Sequence, residues 1–310
     1  MKHKIFIDGR EGTAGLQLYE RLAARDDLEL LLPGDGLRRD AGERRRLINS
    51  AEIVFLCLPD DAARESVSMI ESSDVRVIDA STAHRMAEGW VYGFPELSQA
   101  QREVIAGADR VANPGCHASG FISLVYPLRC AGLLRADAPL TCFSLTGYSG
   151  GGRKMIAQYE APERPAELDG PRIYSLSLEH KHLPEMTKLC ALERAPAFSP
   201  IVAPYYKGMA TSVTLFPELF TERVTPEVLR EVYAAVYGGS RFISVETEPT
   251  AGMLAGNRVL DTNDMIISVN GSPERMIVTS QFDNLGKGAS GAAVQNMNIM
   301  LGLPEDTGLI

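Results

Sequence analysis

Apolar and polar segments alternate regularly over the first part of the chain. Residues 4–8 form a short apolar run, and apolar residues at positions 16, 18, 19, 22 and 23 then follow the spacing of an amphipathic helix. Further strands and helices are predicted in alternation: strands at 28–32, 52–59 and 75–81, and helices at 43–51 and 60–73. This alternation, which continues to about residue 115, predicts a parallel, doubly wound sheet.

Beyond residue 116 the pattern changes. A helix containing a proline is predicted at 121–134, and a strand that runs into a glycine-rich loop is predicted at 139–152. Strands with alternating or mixed burial then dominate, with one capped helix among them: strands at 205–217, 241–247, 265–272 and 275–283, and the helix at 225–238. Few helices between many strands predict an α+β second domain with a largely antiparallel sheet. The small residues of 288–304 predict a closing helix.

Charge and hydropathy limit the partners. The formal net charge is −9, which disfavours nucleic acid and anionic membranes but leaves room for a small anionic ligand beside local arginines. No apolar run is long enough for a transmembrane helix, and the apolar part of the N-terminus is too short for a signal peptide. We therefore expect a cytoplasmic protein. Five cysteines without a CxxC pair disfavour a disulfide framework and a zinc site, and no metal is expected.

A glycine turn joins the first strand to the first helix. It contains Gly9, Arg10, Gly12, Thr13 and Gly15, where a Rossmann-type domain holds a dinucleotide pyrophosphate on a helix N-terminus. The spacing GxxGxxG alone is also compatible with a purely structural turn.

The end of the second predicted strand bears on the choice of cofactor. Arg38 and Arg39 follow Asp35 closely, and arginines suit the 2′-phosphate of NADP better than the ribose hydroxyls of NAD. Arg10 can serve the same end. The alternative is that these arginines are solvated surface residues.

Cys116 is the candidate nucleophile. It follows Asn113-Pro114-Gly115 and directly precedes an apolar helix, so it lies at or near a helix N-terminus. The helix dipole there favours thiolate over thiol, and the outward N–H groups can hold an oxyanion. The alternative is a structural cysteine at a domain crossover. The other four cysteines lie in apolar patterns and are interpreted as core.

A pair of histidines is the candidate acid/base. His180 and His182 precede Pro184, which fits the first position of a helix, and in an extended segment both side chains point to one side. Either can serve a cysteine from another segment. A pair of surface histidines is the alternative.

Taken together, these motifs resemble the N-acetyl-γ-glutamyl-phosphate reductase family, in its shorter sequence type, which is related to aspartate-semialdehyde dehydrogenases. The resemblance covers nearly the whole chain and is most specific at 113–116 and 283–298, with support from 55–59, 79–85 and 180–185. Two positions depart from a common family pattern. His117-Ala118-Ser119 stands where many members have Tyr-Pro-Thr, and Lys181 stands where the longer type often has arginine.

The resemblance implies the reaction. NADPH reduces N-acetyl-glutamyl 5-phosphate to the 5-semialdehyde through a thioester on Cys116, with His180 or His182 as the acid/base. It also implies that Ser81 and Asn284 contact the cofactor, and we predict that Arg85 and Arg153 bind the acyl phosphate or the substrate carboxylate.

The resemblance also implies the domain organisation. Residues 1–115 and 284–310 form the NADP-binding domain, and 116–283 form the catalytic and dimerisation domain. By analogy with such folds we expect a homodimer or homotetramer.

Alternatives remain open at this point. Aspartate-semialdehyde dehydrogenase and N-acetyl-aminoadipyl-phosphate reductase share the chemistry and differ in the substrate. A non-catalytic NADP-binding regulator predicts that Cys116 and the histidine pair are dispensable. A hydroxy-acid dehydrogenase would need no cysteine.

Overall fold

The computed structural model describes residues 2–309, which fall into two compact units. The first unit holds the described residues up to Pro95, Gln99–Pro114, and those from Ala289 onward. The second unit holds Glu96–Ser98 and Gly115–Gly288. The predicted domains differ from these units chiefly at 284–288, and the domain boundaries stay a prediction.

Among the described residues, the first unit contains a six-stranded parallel sheet in the order β2-β1-β3-β4-β6-β5. The strands are β1 (His3–Asp8), β2 (Leu28–Leu31), β3 (Ile53–Leu56), β4 (Arg76–Asp79), β5 (Val91–Tyr92) and β6 (Arg110–Ala112). The central strands are short and apolar; β3 is buried over its whole length, as its continuous apolar run predicts.

Helices α1 (Thr13–Ala23), α2 (Ala41–Ile48), α3 (Asp60–Ser68), α4 (Gln99–Gly107) and α9 (Gly291–Met300) complete this unit. Every residue of α9 is buried: seven are small or apolar, and the amide nitrogens of Gln295, Asn296 and Asn298 donate hydrogen bonds. The parallel, doubly wound architecture predicted from the sequence is confirmed. The sequence pattern missed α4. It also missed β5 and β6, because these strands have only two and three residues.

Among its described residues, the second unit contains a seven-stranded mixed sheet in the order β11-β12-β13-β10-β7-β9-β8. Its strands are β7 (Thr141–Gly147), β8 (Arg172–Ile173), β9 (Ala197–Ala203), β10 (Met209–Leu215), β11 (Ile243–Val245), β12 (Met265–Ser272) and β13 (Arg275–Phe282). The pairs β11–β12 and β7–β9 are parallel and the others are antiparallel, which confirms the prediction of a largely antiparallel sheet.

Four helices belong to the second unit as described: α5 (Cys116–Cys130), α6 (Gly152–Glu160), α7 (Leu183–Leu189) and α8 (Pro226–Tyr237). Helix α5 lies on the sheet and approaches it closely at Gly120, where a Cβ would lie 2.4 Å from the Thr211 Oγ1 on β10. Ser280 on β13 donates a hydrogen bond to the Gly120 carbonyl at 3.2 Å. This close packing on the sheet fixes the position of the N-terminus of α5, which lies one turn earlier in the chain.

A single π-turn (Gly286–Ser290) leads into α9. Among the described residues, no helix has both the length and the apolar character that crossing a membrane requires.

Candidate active site

Cys116 is the first residue of α5. Gly115 before it is the N-cap, has extended backbone angles and, as a glycine, provides no side-chain cap. The Gly115 N–H donates a hydrogen bond to Glu185 Oε2 at 3.1 Å, so this carboxylate on α7 fixes the turn. The structure therefore places Cys116 at a helix N-terminus, five residues earlier than the predicted helix start. The first N–H groups of a helix have no acceptor within that helix, and in α5 they belong to Cys116 and the residues that follow it.

Three histidine rings lie together in the second unit. The centroids of His180 and His182 are 4.7 Å apart, and each lies within 6 Å of His117, at 5.6 and 5.7 Å. Phe198 on β9 packs against His117 and His180 at 5.2 and 5.1 Å. The predicted pair is thus brought to the first turn of the helix that carries Cys116.

The geometry before α7 differs from the extended conformation expected from the sequence. His182 has φ −90° and ψ −9°, and α7 begins at Leu183, so Pro184 is its second residue. The turn lets the His182 N–H donate to His180 Nδ1 at 3.1 Å. The two rings are nearly perpendicular instead of side by side.

His117 is a site residue that the sequence interpretation did not assign. Its Nδ1 is 2.8 Å from Ser144 Oγ on β7, and its Nε2 is 2.8 Å from Tyr174 Oη. Ser144 Oγ is in turn 2.7 Å from Thr211 Oγ1 on β10. Ser144 lies 27 residues and Tyr174 lies 57 residues from His117 along the chain. No local sequence signal could therefore identify this chain of hydrogen bonds.

Burial makes His117 a neutral histidine. Desolvation, with smaller contributions from the charges of His180 and Lys181, lowers its pKa from 6.5 to about 3. Burial also raises the pKa of Tyr174 above its ordinary value, and the charge of Cys116 adds to this rise. Both side chains therefore keep their neutral forms at neutral pH.

The neutral state of His117 has a consequence for stability. Since its pKa is lower in the folded chain than in the unfolded chain, its contribution is complete above pH 6.5 and is lost as the pH falls towards about 3. We expect the free energy of unfolding to fall by roughly 1.4 kcal/mol per pH unit in this window from this residue alone. Urea unfolding at pH 7 and pH 5 measures it. His117→Gln should flatten the pH dependence of the free energy of unfolding; an equal dependence in His117→Gln and in the wild-type chain would contradict the expectation.

Within the second unit, the first residues of the π-turn pack against Cys116. A Cβ at Gly288 would lie 3.0 Å from the Cys116 Cβ, so only glycine leaves the cysteine its present space. The preceding Lys287 is buried, and its Nζ lies 2.6 Å from Glu96 Oε1 in an ion pair that is also buried. This ion pair anchors the turn beside Cys116.

Asn284, predicted to contact the cofactor, is hydrogen bonded within the second unit. Its Oδ1 accepts from the Gly208 N–H at 2.7 Å, and its Nδ2 donates to Ser149 Oγ at 3.1 Å. Arg153, a predicted substrate contact, lies on α6 with an exposed side chain. The cofactor role of Asn284 and the substrate role of Arg153 stay predictions.

In the first unit, the glycine turn has the geometry that a pyrophosphate needs. Gly9 has φ +90°, and a Cβ there would lie 2.4 Å from the Cys57 carbonyl oxygen; a Cβ at Gly15 would lie 2.4 Å from the Gly9 oxygen. At Gly12, by contrast, a Cβ would meet protein atoms only at 3.4 Å or more. Gly12 is also the N-cap of α1 without a side-chain cap, and the neighbouring Thr13 Oγ1 is buried without a hydrogen-bond partner among residues 2–309. The turn therefore fits a bound phosphate, which would supply the missing acceptors.

This difference between the glycines can be measured. We expect Gly12→Ala to change the free energy of unfolding by less than about 1 kcal/mol but to weaken NADP binding by about tenfold, because the methyl group would occupy ligand space. Gly9→Ala should instead cost about 2–4 kcal/mol of stability from the clash and the positive φ. Calorimetric titration with NADP and thermal unfolding of both variants test the pair. Normal NADP affinity in Gly12→Ala would argue against a phosphate at this turn.

Two of the three predicted arginines of the NADP site lie together. Arg10 Nη2 is 3.5 Å from Glu11 Oε1, and Arg38 Nη1 is 3.8 Å from Glu11 Oε2. Arg10 also lies over the Tyr19 ring at 4.8 Å. Arg39 is exposed nearby in sequence. A 2′-phosphate could replace the Glu11 carboxylate between Arg10 and Arg38.

Ser81 and Arg85 lie on the loop after β4. Ser81 Oγ donates to Asp79 Oδ2 at 2.8 Å, and His84 Nδ1 lies 2.6 Å from the same oxygen. Arg85 Nε donates to the Asn113 carbonyl at 3.0 Å. These hydrogen bonds connect the loop to β4 and to Asn113, which directly follows β6. The ligand roles of Ser81 and Arg85 stay predictions.

The interpretation of all four other cysteines as core was wrong for Cys130. Cys142 and Cys190 are buried, and burial raises the pKa of both thiols. Burial likewise raises the pKa of Cys57 to about 12. Cys130, however, is exposed, because it is the last residue of α5.

Comparison with known proteins places this geometry in a family. The semialdehyde dehydrogenase NAD-binding domain matches residues 4–106, and the semialdehyde dehydrogenase dimerisation domain matches residues 116–284. Among solved structures, aspartate semialdehyde dehydrogenase II from Vibrio cholerae superimposes with a TM-score of 0.73 at 15% identity, over 97% of this chain and 99% of that chain. The structural likeness confirms the fold.

Sequence relatives give the finer assignment. N-acetyl-γ-glutamyl-phosphate reductase from Trichormus variabilis is 44% identical over 320 residues, which cover 99% of both chains. The same-named protein from Chelativorans sp. is 47% identical over 308 residues, or 97% of this chain and 99% of the relative. The chain therefore belongs to the semialdehyde dehydrogenase family and, within it, to the N-acetyl-γ-glutamyl-phosphate reductases.

Proposed function

We propose that this chain reduces N-acetyl-glutamyl 5-phosphate to N-acetyl-glutamate 5-semialdehyde with NADPH, a step of arginine biosynthesis, and releases phosphate. The observation that carries the proposal is the position of Cys116 at the uncapped N-terminus of α5, beside three histidine rings. Relatives of that name match the chain over nearly its full length, which supports this substrate over the shorter or longer acyl phosphates.

The first half-reaction is an acyl transfer. The Cys116 thiolate attacks the carbonyl carbon of the acyl phosphate, the C–S bond forms, and the C–O bond to phosphate breaks with its electron pair leaving on phosphate. Backbone N–H groups in the first turn of α5 stabilise the oxyanion. A thioester on Cys116 and free phosphate result.

The second half-reaction needs a hydride, which NADPH supplies when bound. Gly9, Gly12, Thr13 and Gly15 would hold its pyrophosphate, and Arg10 and Arg38, with Arg39, its 2′-phosphate. The chain's own task is to stabilise the oxyanion that hydride addition produces at the thioester carbon. The C–S bond then breaks, the aldehyde leaves and the Cys116 thiolate returns.

The hydrogen bonding favours His182 as the acid/base. A backbone N–H is always a donor, so His180 Nδ1 accepts from His182 N–H and the neutral ring carries its hydrogen on Nε2. His180 can then donate a hydrogen bond but has no lone pair free to take a proton. That bond uses the backbone N–H of His182 and not its imidazole, so we assign His182 the proton transfers: it takes the proton of the Cys116 thiol and gives it to the leaving phosphate. His180 is assigned to substrate binding.

Arg85 and Arg153 are proposed to bind the anionic groups of the substrate, and Ser81 and Asn284 to contact the cofactor. A homodimer or homotetramer built on the second unit and a cytoplasmic location belong to the same proposal. The match to a dimerisation domain supports the oligomer.

The reverse reaction tests the proposal. The protein is mixed with NADP, phosphate and N-acetyl-glutamate 5-semialdehyde, and NADPH is followed by absorbance, with aspartate semialdehyde in parallel and a control without phosphate. We expect phosphate-dependent NADPH formation with the acetylated aldehyde alone. Activity only with aspartate semialdehyde would keep the chemistry and overturn the substrate; activity with neither would overturn the proposal.

A further inference from the structure

His117 occupies a central place in the site, yet the acyl-transfer chemistry above gives it no task. It directly follows Cys116, is 3% exposed, and contacts the rings of His180, His182 and Phe198. Both of its ring nitrogens lie within hydrogen-bond distance of a hydroxyl group. A buried imidazole needs such partners in any case, so the identity of the partners, and of Tyr174 in particular, carries the argument.

The hydroxyl chain behind His117 can set which nitrogen carries the hydrogen. Thr211 can donate to Ser144, and Ser144 can then donate to His117 Nδ1, since either hydroxyl can be the donor. In that arrangement the neutral ring has its hydrogen on Nε2 and donates it to Tyr174 Oη. Tyr174 then accepts one hydrogen bond and keeps its own O–H for another partner.

Tyr174 lies where that O–H is useful. Its Oη is 2.8 Å from Nε2 of His117, the residue that directly follows Cys116 in the first turn of α5. Its ring centroid is 6.0 Å from that of His180, so Tyr174 belongs to the same cluster of rings as His117 and His180. One N–H at this helix terminus, that of Gly115, already donates its hydrogen bond to Glu185. It therefore does not stabilise an oxyanion, and a further hydrogen-bond donor would contribute to this stabilisation.

We propose that His117 is a positioning residue that orients Tyr174, and that the Tyr174 hydroxyl donates a hydrogen bond to the carbonyl oxygen attacked by Cys116. This inference rests on the proposed thioester chemistry and adds a second source of oxyanion stabilisation to the helix terminus. Tyr174 stays protonated throughout and transfers no proton. The bond strengthens as the carbonyl oxygen gains negative charge, so it acts on the transition state.

The test compares two reactions of the same thiol. With p-nitrophenyl acetate, the Cys116 thiolate forms an acetyl thioester and releases p-nitrophenolate, which passes through an oxyanion. Iodoacetamide alkylates the same sulfur by displacing iodide, without an oxyanion. We expect Tyr174→Phe to lower the rate of the p-nitrophenolate burst by about 100-fold and to leave the alkylation rate unchanged. Neither assay needs NADPH or the natural substrate.

His117 is tested through Tyr174. His117→Leu should lower the burst rate by about 10–100-fold in the wild-type background and have no further effect in Tyr174→Phe, because it acts through the phenol. His117→Gln, whose amide can reach towards Tyr174, should recover part of the rate and serves if the leucine variant does not fold. Tyr126→Phe is the matched control, because it also removes a phenol hydroxyl. Tyr126 lies on α5, ten residues after Cys116, and this variant should acylate at the wild-type rate.

Each outcome decides. Equal losses of acylation and alkylation in Tyr174→Phe, a wild-type burst in that variant, or additive effects of the two substitutions would overturn the inference. A wild-type chain without a Cys116-dependent burst would overturn the thioester chemistry and this inference together. A normal burst in a chain that forms no NADPH with either semialdehyde would overturn only the proposed function.

Discussion

Cys116→Ser should abolish phosphate-dependent NADPH formation, with a loss of about 10⁴-fold or more, while NADP still binds. Serine keeps the shape of the side chain but replaces the thiol by a hydroxyl, which is a much weaker acid and does not supply the nucleophilic anion. Steady-state assays in the reverse direction measure the first effect, and calorimetric titration with NADP measures the second.

Cys130→Ser is the matched control for this experiment. It makes the same chemical change at the exposed last residue of the same helix and should retain full activity. Iodoacetamide should inactivate the Cys130→Ser chain as fast as the wild type. Appreciable turnover in Cys116→Ser would refute the assignment of the nucleophile.

His182→Asn should lower kcat by about 10²–10⁴-fold, the usual worth of a general acid/base, and should remove the corresponding limb of the pH–rate profile. His180→Asn should act mainly on KM for the aldehyde and leave the shape of the profile intact, because the Nδ1 of His180 already accepts the His182 N–H.

Each of the two histidine variants serves as the control for the other, because the rings of His180 and His182 lie 4.7 Å apart in the same cluster. Equal circular dichroism spectra and thermal midpoints would show that both variants fold. A pH–rate profile that changes in His180→Asn and not in His182→Asn would reverse the assignment.

The secondary structure that sets the fold could be predicted wherever a segment has its own period. Strand β3 is apolar throughout and α1 has a helical spacing, so both appear in the sequence as they do in the structure. Strands β5 and β8 have only two residues each, and their pairing depends on neighbours that the local sequence does not specify. The second sheet could be predicted as largely antiparallel, but not its order, because β7 lies between β10 and β9 only in three dimensions.

The site divides in the same way. The position of Cys116 at a helix N-terminus could be predicted because a proline–glycine turn and the helix after it are adjacent in sequence. The hydrogen bonds that join His117 to Ser144 and Tyr174 could not, because they depend on how β7 and the segment before α7 come to face α5. The buried pairing of Lys287 with Glu96 spans 191 residues and has no local signature either.

The return of the C-terminal segment to the first unit has a consequence for biosynthesis. Helix α9 packs against α1, α4 and β4, so the core of the first unit is incomplete until residue 300 has been synthesised. The second unit is almost continuous in sequence, from Gly115 to Gly288, and its main segment is complete earlier in translation. On the ribosome, the half of the protein that is synthesised first is therefore the half that finishes folding last. A premature stop before the codon for residue 300 would leave the nucleotide-binding half exposed to aggregation and proteolysis.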